Sequence, residues 1–129
     1  DNLGYLMDYR AEWMRERNQK QRELEKINKE LMEGTPEEAS LEKEIRELGE
    51  KAKEEAQKAR QQRNAGFGIY TQDYRPRLFE AKGALKDLRT KRIRRMNQLE
   101  REISTLTKEL DQLSMWLQEV DNRRIRKNP

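Results

Sequence analysis

MNQLEREISTLTKELDQLSMWLQEV, residues 96–120, is the stretch whose reading decides the fold. Met96, Leu99, Ile103, Leu106, Leu110, Leu113, Leu117 and Val120 recur at alternating steps of three and four residues. That step averages close to one helical turn, so the eight side chains form one narrow apolar stripe along a helix. A stripe of this width cannot be covered by its own helix. A facing helix is required.

Working back toward the N-terminus, the same count continues in a different phase. Leu78, Ala81, Leu85 and Leu88 form an earlier apolar row, and the four-plus-four step from Leu88 through Arg92 to Met96 is a stutter between the two phases. A third helix is therefore expected from about Arg77 to Arg124. A first helix is expected from Leu3 to Met32, with Leu3, Leu6, Arg10, Trp13, Arg17, Lys20, Leu24, Ile27 and Leu31 at core positions. Its ends are apolar and its middle is not: residues 15–23 contain no apolar side chain. Helix propensity and neighbouring charges must hold that segment.

Gly34-Thr35-Pro36-Glu37-Glu38 separates the first helix from a second. Gly suits the position just past a helix end, Thr35 can cap the next helix, and Pro36 fits its first position. Glu38, three residues after Thr35, completes a capping box. The second helix should run from Pro36 to Asn64 through Leu41, Ile45, Leu48, Ala52, Ala56 and Ala59. Because the heptad count crosses the break without a slip, a single arm kinked at Gly34–Pro36 is favoured over two helices folded back on each other. Residues 65–76 then form a tip loop. Residues 36–58 hold eight Glu against five basic residues, and residues 75–101 hold ten basic against three acidic. A turn between them would lay opposite charges side by side. The expected fold is all-α: one elongated antiparallel helical hairpin, or coiled coil, spanning residues 1–129.

Composition supports this and narrows the function. Of 129 residues, 42% are charged and 33% hydrophobic, a ratio that leaves too little apolar surface for a core of ordinary thickness. Disorder is the rival at this composition, and the regular stripe argues against it. With no Cys and no His, thiol chemistry, zinc–thiolate sites and the usual general base are missing. Paired carboxylates such as Glu37–Glu38 are explained by capping and solvation, and thin helices rarely enclose a dry pocket. No enzyme activity, cofactor, metal or small-molecule ligand is expected. No apolar run approaches the roughly 18 residues that cross a bilayer, so membrane insertion is not expected either. The N-terminus lacks the basic and apolar regions of a secretory signal, which favours an intracellular location, and lacks an initiator Met, as a fragment or processed product would.

Two sets of residues stand out as candidate contacts. Aromatic and Met side chains gather near the N-terminus, where Leu6, Tyr9, Trp13 and Met14 make a face wider than a two-stranded seam needs, and at the tip, with Phe67, Tyr70 and Tyr74. Such side chains are enriched where proteins meet. The alternative is that they plug the ends of the hairpin internally. The basic run Arg89, Lys91, Arg92, Arg94 and Arg95 is a candidate for phosphate contact, against the alternative that it pairs with the acidic second helix or is solvated. The expected role is a non-catalytic adaptor or structural subunit that contacts other proteins through helical faces, with self-association through the third helix as one form of it. A basic-helix component of a ribonucleoprotein or chromatin complex is the second reading.

Overall fold

The computed structural model describes residues 2–64, 66 and 72–127, all of it helix apart from short connections. The elements are α1 (Asn2–Glu33), α2 (Pro36–Asn64) and α3 (Arg75–Lys127). The all-α hairpin pairing expected from the stripe is present. Contacts gather into two compact units, residues 1–31 with 93–129 and residues 32–92.

In the first unit α1 runs antiparallel to the later part of α3. Lys20 pairs with Glu102 at 2.8 Å, and Glu23, three residues further along, pairs with Arg95 at 2.8 Å, so the numbering descends on one helix as it rises on the other. All eight stripe positions are buried or half-buried, and Leu99 and Leu113 are the most enclosed at 0% and 2% exposure. Full burial of a Leu side chain is worth about 1.5–3 kcal/mol, which makes this ladder the main adhesive of the unit. The facing row on α1 is Leu6, Trp13 and Leu24, half-buried, and Ile27, buried. Between them Arg17 and Lys20 are also half-buried. Their methylene stems shield the leucines while the charged ends reach toward the edge. Leu31 departs from expectation: at 42% exposure it adds little to the seam, because the helix ends two residues later. The side chain of Leu3 lies outside the described residues.

In the second unit α2 runs antiparallel to the early part of α3. Leu48 and Ala81 are buried, with Leu41, Ile45, Leu78, Leu85 and Leu88 half-buried. Ala52 and Ala59 are half-buried as expected of small residues near the tip. Ala56 is exposed instead, and lines a shallow groove with residues 72–75.

The helix ends follow local chemistry. Gly34 takes φ 74°, a conformation open to Gly and strained for residues with a Cβ, and so ends α1. Thr35 caps α2: its Oγ1 accepts from the Glu38 N–H at 3.2 Å, and its carbonyl accepts from the Ala39 N–H at 3.0 Å. The capping box differs in one respect from the simplest pattern. The Glu38 carboxylate accepts the Thr35 hydroxyl at 3.4 Å and turns its remaining capacity toward α3. Gly66, with φ 81°, follows the end of α2. α3 begins two residues before the expected Arg77, since Asp73 caps it by accepting the Arg75 N–H at 3.0 Å. Pro76 then sits inside the first turn, where its missing N–H removes no helical bond.

Candidate functional site

The basic run lies along α3 on either side of residue 92, and three of its five cations are engaged with carboxylates. In the second unit Arg89 bridges Glu38 at 3.4 Å and Glu42 at 2.7 Å. Arg92 pairs with Glu38, with both side chains below 10% exposure. Hydrogen bonding from Arg92, opposed in part by burial, holds the Glu38 carboxyl below its usual pKa, with Arg89 adding to the effect. In the first unit Arg95 grips Glu23 through Nε at 2.8 Å and Nη2 at 2.9 Å. That two-pronged bond lowers the Glu23 pKa and raises that of Arg95. Lys91 and Arg94 are exposed. Arg89, Arg92 and Arg95 are thus linking side chains of the hairpin, and their positive charge is largely neutralised where it stands. The sequence carried this signal for Arg92 only as the middle of the four-plus-four step from Leu88 to Met96. It carried none for the particular partners.

The aromatic residues divide by position. Tyr74 is half-buried, with the Lys51 ammonium 6.0 Å from its ring centroid and its hydroxyl donating to Gln72 at 3.2 Å, so it helps close the connection. Phe67 and Tyr70 lie outside the described residues. On α1, Leu6, Trp13 and Met14 are half-buried and Tyr9 is 47% exposed. Tyr5, Tyr9 and Trp13 form a ladder at successive four-residue steps: the Tyr5 and Tyr9 rings stack with centroids 6.4 Å apart, and those of Tyr9 and Trp13 tilt at 5.9 Å. Only Trp13, at the foot of the ladder, turns into the seam. The α3 residues expected as the internal cover of this end, Met115 and Trp116, are themselves 69% and 50% exposed and leave Tyr5 and Tyr9 open. Trp116 lines a shallow groove with Gln112 and Glu119.

A second groove of the first unit lies on the seam, between Glu16 and Lys20 of α1 and Glu102, Thr105 and Leu106 of α3. Lys20, followed by Gln98, keeps the Glu102 carboxyl below its usual pKa. Arg17, nearby on the seam, has a buried Nε without a hydrogen-bond partner. Among the described residues no group of His, Cys, Asp or Glu is arranged to hold a metal ion, and no helix is long and apolar enough to cross a membrane. Comparison with protein-family models, curated proteins and solved structures finds no match to this chain. The surfaces themselves carry the functional argument.

Proposed function

We propose that this protein is a non-catalytic adaptor or structural subunit that joins other proteins through its helical faces, and that the aromatic end of the first unit is its principal contact. The observation that carries this reading is the exposure of Tyr5, Met7, Tyr9, Met115 and Trp116, each between 47% and 69%, beside a seam that is already closed. Large apolar side chains in this number are costly to leave in water and mark surfaces that meet a partner. The basic run supports the reading indirectly, since pairing with Glu38, Glu42 and Glu23 leaves it less charge to offer to phosphates.

The test compares affinity capture by the native protein and by a Tyr5→Ser/Tyr9→Ser variant. Both side chains are exposed, so helix content should be unchanged by circular dichroism. The reading predicts that specific protein partners are lost with the variant. The same partners recovered by both proteins would exclude this face.

A further inference from the structure

We propose that the partner element taken by the aromatic face is a basic amphipathic helix, an inference that rests on the docking reading above and names the chemistry of its occupant. The argument starts from which residues share the face. On α1, Tyr5, Tyr9, Glu12 and Glu16 follow one another at steps of four, three and four, so they form one row beside the seam. On α3, Thr105, Glu109, Gln112, Trp116 and Glu119 do the same. The Lys20–Glu102 pair sets the level, placing Tyr5 opposite the turn that holds Trp116 and Glu12 opposite the turn that holds Glu109. The groove shared by Glu16, Lys20, Glu102 and Thr105 puts the two rows on the same side of the seam.

The result is an aromatic strip bordered by Glu12, Glu16, Glu109 and Glu119, all exposed. Among the described residues Glu12 and Glu109 have no cationic partner. Of the three cations along these rows, Lys20 pairs with Glu102 at 2.8 Å and Glu16 at 3.8 Å, Arg123 pairs with Glu119 at 2.8 Å, and Arg101 lies exposed at the groove. With Glu102 counted, five carboxylates stand against three cations, so the face is acidic on a chain whose net charge is +4. From Tyr5 to Glu16 the strip extends about 17 Å along the axis at 1.5 Å per residue, a match for three turns of helix. A helix with apolar residues along one side and Lys or Arg along its flanks satisfies both the aromatic floor and the carboxylate borders. A second copy of the face would bring like charges together, and an anionic lipid surface would be repelled.

A library of 18-residue amphipathic helices tests this, with Leu and Met fixed on one face and Lys, Gln or Glu varied at the flanking positions, selected against the full chain. Lys-flanked peptides should be enriched and should shift the fluorescence of Trp13 and Trp116, the only two tryptophans. Their affinity should fall at least tenfold when Glu12, Glu16, Glu109 and Glu119 are all changed to Gln, and should weaken with salt. Enrichment of Gln- or Glu-flanked peptides that still need Tyr5 and Tyr9 would overturn the basic-helix inference and leave the docking face standing. Binding that survives Tyr5→Ser/Tyr9→Ser, or no enrichment at all, would overturn both. Two further results would overturn the inference: association of the full chain through this face in sedimentation, and binding to phosphatidylserine vesicles.

Discussion

Two charged residues inside the helix pairs mark opposite solutions to one problem. Glu38 is nearly enclosed, at 7% exposure, and its oxygens are taken up by Thr35, Arg89 and Arg92. A carboxyl with a folded pKa below its unfolded one stabilises the fold above the unfolded value, and that stability is lost as pH falls through the folded value. Glu38, Glu23 and Glu102 all shift downward, so urea unfolding should report constant stability near neutrality and a decline below about pH 4.3, the ordinary glutamate value. Glu38→Gln should cost about 1.5–3 kcal/mol at pH 7 and the difference from the native protein should shrink in acid. Arg17 has no such arrangement, since its Nε is buried without a partner. Arg17→Met keeps the packing stem and removes that donor, and should raise stability by roughly 1 kcal/mol in the same assay. A loss of stability would mean that the guanidinium contributes more than the seam shows. Sequence spacing put Arg17 at a core position and Arg92 in the stutter between the two apolar rows of α3. It could not tell which of them would find a carboxylate, because that depends on the register of the facing helix.

At the scale of the helix, legibility followed periodicity and capping. The eight-residue stripe gave α3 its buried side because three-four spacing fixes direction independently of any partner. The Gly34–Thr35–Pro36 break was readable because each residue has a local reason to be there. Thr35→Ala should lower the thermal midpoint through loss of about 1 kcal/mol, with the α2 start fraying first in hydrogen exchange. Leu113, 2% exposed, and Phe79, 82% exposed, are both large apolar residues of α3. Leu113→Ala should cost about 2–4 kcal/mol and Phe79→Ala less than about 0.5 kcal/mol, by urea unfolding at neutral pH. What escaped reading were the ends: Leu31 keeps the core spacing but sits in a final turn, and the start of α3 is set by the Asp73 side chain rather than by the apolar row.

For the molecule, 29 basic and 25 acidic residues are far more than two narrow seams can hide, and the linking pairs use only a few of them. The adhesive strength therefore lies in the leucine ladder, with ion pairs setting register at its edges. The candidate face was partly legible on the same grounds. Tyr9 and Trp13 stand out by composition, whereas the glutamates join them only once α1 is aligned on α3. Because the chain has no cysteine, that alignment can be measured directly with Lys20→Cys/Glu102→Cys and a short bismaleimide, beside Lys20→Cys/Ser114→Cys as the out-of-register control. The intramolecular pairing of α1 with α3 predicts a monomeric cross-linked product, formed independently of protein concentration, for the first pair and little for the second. Cross-linking only between chains, or equal yields from both pairs, would contradict it.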